Sequence, residues 1–122
     1  MPHHTIRAST ICGTHVENWE GEHLGVISDV MIDKLHGDVA YFVLSYPDNF
    51  GPDYLQKRFA VPFESIAMKT SVSDVDYILN VDEDFLRKAP GFDNANWPDF
   101  GDEAFRSVLK DYYKDVSVDI RV

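Results

Sequence analysis

The sequence predicts a small antiparallel β-barrel carrying a helical tail. Three observations lead to it. Four strand-like runs lie between Cys12 and Phe63, with turn formers separating them. Two of these runs are joined by a short link that ends in Gly37-Asp38, which reads as a hairpin. After Asp82 the spacing of apolar residues changes from that of a strand to that of a helix.

Taken in order, residues 1–9 read as a loose leader, and Ile11–Asn18 as the first strand. A turn at Trp19-Glu20-Gly21-Glu22 follows. Leu24–Asp33 is the clearest strand. Its even positions Leu24, Val26, Val30 and Ile32 are apolar, so they are expected on the core face, with Asp29 and Asp33 on the wet face. Lys34–Gly37 links this run to Asp38–Tyr46, and Gly37 is suited to positive φ there. Val39–Leu44 is apolar on both faces. It is expected to be covered on one side by the barrel core and on the other by a helix or a partner.

Pro47–Gln56 is dense in turn formers and reads as an exposed loop containing Phe50, Tyr54 and Leu55. Lys57–Phe63 is the next strand, and Pro62 confines it to an edge or a strand end. Ile66–Lys69 and Tyr77–Val81 pair as a last hairpin around a polar turn at 70–76. Asp82 caps a helix over Glu83–Ala89, with acids in its first turn and bases in its last, and Pro90-Gly91 ends it. An aromatic, acidic stretch, Phe92–Phe100, leads to a second helix over Asp102–Tyr113. Phe105, Val108, Leu109 and Tyr112 form its apolar stripe. Residues 114–122 are expected to fray or to add a short strand. The domain reading is a barrel with its closing helix at 1–89 and an extension at 90–122.

Composition narrows the function classes. At 122 residues and 44% apolar content, one domain with its own core is expected. The formal charge is −10 and no basic stripe occurs, so a nucleic-acid backbone would be repelled, whereas a basic protein partner would not. The single cysteine, Cys12, allows no internal disulfide, which fits a cytoplasmic location. The N-terminal residues carry no signal-peptide pattern, and the longest apolar run, Val39–Leu44, is far short of the ~20 residues of a membrane span.

The residues offer little catalytic chemistry. The five histidines lack metal-ligand spacing: His3-His4 are adjacent in the leader, and His15 and His23 lie on different strands. Cys12 is expected to be a buried, inert thiol, with His15 on the opposite strand face. Asp93, Asp99, Asp102 and Glu103 do not follow a calcium-loop pattern, because Ala95 interrupts it, so turn and cap roles are expected. Glu17, Glu20 and Glu22 have no nucleophile, oxyanion hole or cofactor loop to serve. No cofactor, catalytic residue or metal ligand is assigned, and no enzyme is expected. The aromatics near Trp97 have two readings. They wrap the barrel and close its open side, or they anchor a partner. Phe50, Tyr54, Trp97, Phe105 and Tyr112 are the candidate partner contacts.

The ordered set Gly13-Thr14, Gly21-Glu22-His23-Leu24-Gly25, Asp29-Val30-Met31-Ile32-Asp33, Gly37, Ala40-Tyr41-Phe42-Val43-Leu44-Ser45 and Phe59-Ala60-Val61-Pro62-Phe63 resembles the PRC-barrel domain. That domain is shared by the photosynthetic reaction-centre H subunit and a ribosome maturation factor. Ala89-Pro90-Gly91-Phe92-Asp93 and Asn96-Trp97-Pro98-Asp99 look like the extension of free-standing bacterial members, and the resemblance spans about residues 8–100. It implies a six-stranded antiparallel barrel acting as a non-enzymatic interaction or assembly module. The H subunit's membrane helix and the ribosome factor's separate N-terminal barrel have no counterpart here, which argues against their roles. The alternatives are a small-molecule- or metal-binding barrel with its mouth near 47–56, and a soluble relative of the H subunit linked to photosynthetic electron transfer. A protein partner or a homodimer is expected. The two-sided apolar strand and the striped helix motivate the homodimer.

Overall fold

A computed structural model describes residues 7–46, 57–70, 75–92 and 96–116. The elements run α1 (Ala8–Ile11), β1 (His15–Glu17), β2 (His23–Asp33), β3 (Asp38–Tyr46), β4 (Lys57–Pro62), β5 (Ile66–Thr70), β6 (Val75–Leu79), α2 (Glu83–Arg87) and α3 (Glu103–Tyr113). The six strands form one sheet in the order β4-β3-β2-β1-β6-β5. Consecutive strands β4 and β5 lie at its two ends, joined by a 3₁₀ turn over Phe63–Ser65. The result is a curled half-barrel, mainly β as expected.

The sheet is mixed, which corrects the expected all-antiparallel barrel. β1 pairs antiparallel with β2 but parallel with β6, Val16 facing Tyr77 and Glu17 facing Ile78. The long path from β1 to β6 through the other strands makes this possible, because only adjacent hairpin strands must reverse direction. The first strand is also shorter than expected. Ala8–Ile11 is a helical turn that buries Ile11, and Gly13 at φ 93° redirects the chain into β1. Cys12, expected to be buried, is exposed at the end of that turn.

The core is built on the inner face. Phe42 packs edge-on to Tyr77 at 5.3 Å between ring centroids, and Leu24, Ile27, Leu44, Phe59 and Val61 are fully enclosed with it. Each such side chain contributes roughly 1.5–3 kcal/mol by leaving water. On β3, Phe42, Val43 and Leu44 are all buried, so both faces are covered as predicted. The outer face carries Tyr41, which meets Phe100 at 5.6 Å, and Phe100 meets Phe105 of α3 at 5.5 Å. The tail thus lies against the outer side of the sheet.

Two devices hold the tail. Arg58 on edge strand β4 exchanges both backbone hydrogen bonds with Phe92, at 2.7 and 2.9 Å, which occupies part of the free side of that edge. Gly91 permits this approach: a Cβ there would stand 3.0 Å from the Arg58 carbonyl oxygen. α2 then meets α3 through Phe85 and Tyr112, 4.5 Å apart, and the Tyr112 hydroxyl donates to the Phe85 carbonyl. Asp82 caps α2 by accepting from the Phe85 N–H at 2.7 Å, and Asp102 caps α3 by accepting from the Ala104 N–H, both at the predicted positions.

The buried stripe of α3 differs from expectation. Leu109 and Tyr113 are in the core, Phe105 and Tyr112 are half-buried, and Val108 is 50% exposed. The cause is helical geometry: at 100° per residue, position 113 shares the face of 109, and 108 falls on its flank.

Candidate functional site

The clearest break between sequence pattern and structure lies on β2. Strict alternation would bury Ile32, yet Ile32 is 57% exposed. Two irregularities in the β2–β3 register, between Ile27 and Asp29 and between Met31 and Ile32, shift the alternation. Bulges of this kind turn a side chain to a new side and concentrate near functional surfaces.

The outer part of the β2–β3 hairpin stands free of the rest of the sheet. β1 reaches β2 only as far as Val26, and β4 reaches β3 only from Tyr41. Beyond these limits, Ile32 faces Val39 and Asp33 faces Asp38, and neither pair has a further strand neighbour among the described residues. The tip is nonetheless firmly tied. The Asp33 carboxylate accepts from the Leu35 and His36 N–H groups at 3.0 and 3.2 Å, and its carbonyl accepts from Gly37 N–H at 2.7 Å. Gly37 takes φ 75°, as its place in the link predicts. The other carboxylate oxygen of Asp33 lies 2.8 Å from His36 Nδ1. That contact holds the Asp33 carboxyl below its ordinary range and raises the His36 imidazole above its own. The net effect is to hold Leu35 outward, 86% exposed.

Beside this ribbon runs an open groove of about 800 Å³. Its floor includes Met31, Val39 and Tyr41, and Phe100, Arg106 and Lys110 form the far wall. Burial pushes the Tyr41 phenol up, with the nearby Arg106 charge opposing it. The groove mixes both signs, Lys34, Arg106 and Lys110 with the Asp33-bound His36 among Asp33, Asp38 and Glu64. That mixture contrasts with a chain carrying −10 overall.

Of the candidate contacts, Phe50 and Tyr54 lie outside the described residues. So does the 47–56 loop at which a barrel ligand was expected. Trp97 is 38% exposed and leans on Phe92 at 5.0 Å and Phe100 at 6.4 Å. Phe105 joins the same aromatic group through Phe100, next to the groove, whereas Tyr112 belongs to the α2–α3 contact. Pattern reading missed Ile32, Leu35, Arg106 and Lys110. The one signal for them was an apolar Leu35 in a polar hairpin link.

His15 and His23, on different strands, are brought together by the register, with ring centroids 4.9 Å apart. The cause is the β1–β2 register. Glu17 faces His23 and His15 faces Val26, which sets both imidazoles on one surface. Among the described residues no group of three or more His, Cys, Asp or Glu could hold a metal ion. Asp99 accepts from the Gly101 N–H at 2.9 Å, so it and Asp102 serve turn and cap roles as expected, and Asp93 lies outside the described residues. No described helix is long and apolar enough to cross a membrane.

Comparison with known proteins adds a family. No curated protein matches the chain. The family model for the PRC-barrel domain matches residues 3–86, more than half the sequence and all six strands. Together with the curled six-stranded sheet, this places the chain in the PRC-barrel domain family.

Proposed function

We propose that this protein is a non-enzymatic interaction module whose docking surface is the outer β2–β3 ribbon and the groove beside it. The supporting observation is the pair Ile32 and Leu35, apolar and exposed on a tip that Asp33 holds in one conformation. Exposing two large aliphatic side chains forgoes roughly 3 kcal/mol of burial, which a docked partner would recover. A pre-ordered tip also loses little entropy on binding. The ribbon edge at Asp38–Ala40, which has no strand partner on its β4 side among the described residues, offers main-chain donors and acceptors to the same partner.

The test is photo-crosslinking in cells. A photoreactive residue replaces Leu35, and a control replaces Lys88, which is exposed at the C-cap of α2. Discrete protein adducts from position 35 and none from position 88 are expected. Equal labelling at both, or no adduct at position 35, would refute the assignment of this face.

A further inference from the structure

We infer that the occupant of this face is a second copy of the same chain, related by a two-fold axis. This rests on the docking surface proposed above. Charge is the deciding observation. Two chains of −10 repel wherever their acidic surfaces meet. The groove is different. Lys34, His36, Arg106 and Lys110 stand there among Asp33, Asp38 and Glu64, so bases and acids lie interleaved and largely offset one another.

A face with both signs interleaved can complement itself. About a two-fold axis, each copy presents the same patch, so cations of one copy can lie against carboxylates of the other and the reverse. A basic partner would gain more from the acidic remainder of the molecule than from this face. A strongly acidic partner would find no net positive field in it. The apolar tip supplies the other half of the match: Ile32 and Leu35 of one copy face the Met31, Val39 and Tyr41 floor of the second.

Size sets a further condition. A stable interface removes about 800 Å² from each partner, roughly a tenth of this chain's 8080 Å². Ile32 and Leu35 alone cannot supply that area, so the contact includes the groove walls, with Arg106 and Lys110 of α3 among them.

Sedimentation equilibrium of the purified full chain from micromolar to submillimolar concentration tests this. A mass twice the 13.9 kDa of one chain is expected. Leu35→Asp is expected to weaken association at least tenfold while leaving the fold of the single chain, read by circular dichroism, unchanged, because Leu35 is in solvent within one copy; its unfolding midpoint should lose only the dependence on protein concentration that association confers. Lys110→Glu is expected to weaken it severalfold and Lys110→Arg to preserve it. A monomer throughout the range, or a dimer indifferent to Leu35→Asp, would overturn the inference. A monomer whose position-35 crosslinker captures a different protein would overturn self-pairing and leave the docking surface standing. A monomer with no adduct would remove both.

Discussion

Neighbouring residues on α3 give a sharp test of how the tail is integrated. Leu109 has no exposed surface and belongs to the main core cluster, whereas Val108 is 50% exposed. Leu109→Ala removes buried methyl groups and leaves a cavity, at a cost of about 3 kcal/mol within a range of ~2–5. Unfolding entropy for a chain of this length is about 0.26 kcal/mol/K, from ~2.1 cal/mol/K per residue. The melting temperature should therefore fall by about 12 °C. Val108→Ala surrenders at most ~0.7 kcal/mol of partial burial. It regains about 0.5 kcal/mol of helix propensity, so a change within ~2 °C is expected. Thermal unfolding followed by circular dichroism, with urea titration as a second measure, supplies both numbers. A Leu109→Ala cost below ~1 kcal/mol, or a Val108→Ala cost equal to it, would show that α3 is not packed as described. The same result would detach the far wall of the groove from the fold.

Further expectations concern single groups. The Tyr113 hydroxyl is buried without a hydrogen-bond partner among the described residues, and burial drives its pKa far upward. Tyr113→Phe should leave stability unchanged or raise it by up to about 1 kcal/mol in urea unfolding, since it removes an unsatisfied polar atom; a loss above ~1 kcal/mol would point to a partner for that hydroxyl. His36 should titrate above its ordinary 6.5 by NMR, and Asp33→Asn should return it toward that value. The sign follows from the raised pKa. The His36 contribution is complete below 6.5 and fades as pH rises through the folded value. The Asp33 contribution is present above 3.8 and fades as pH falls through its lowered value. Identical titration of His36 in both proteins would remove the contact from the tip. Gly91→Ala should weaken the Phe92–Arg58 bridge by about 1 kcal/mol, read as faster hydrogen exchange at those two amides, because the new Cβ meets the Arg58 carbonyl oxygen at 3.0 Å. Unchanged exchange would mean the strand edge gives way easily.

Much of this molecule is legible from local chemistry. Val39–Leu44 is apolar at every position, so its strand and the two-sided burial of Phe42–Leu44 follow from the local pattern. Asp82 and Asp102 announce their helices because an N-cap acts within three residues of itself. The hairpin link ending at Gly37 is equally local. The candidate surface was much less visible. Trp97 and Phe105 stand out by residue type, but the turn of Ile32 toward solvent depends on how β2 is registered against β3, a pairing of residues up to nineteen positions apart.

The sequence by itself determined where β2 to β4 and the two C-terminal helices lie, which residues cap those helices, the overall acidity and the family. Each of these is set by neighbours in the chain or by the ordered pattern as a whole. Only the tertiary structure decided that β1 runs parallel to β6, that His15 lies beside His23, that Cys12 is exposed, and that Arg106 and Lys110 face a hairpin some seventy residues away. Those facts depend on strand register and helix docking. Both are chosen by the free energy of burying the whole core, and no local stretch of residues carries that quantity.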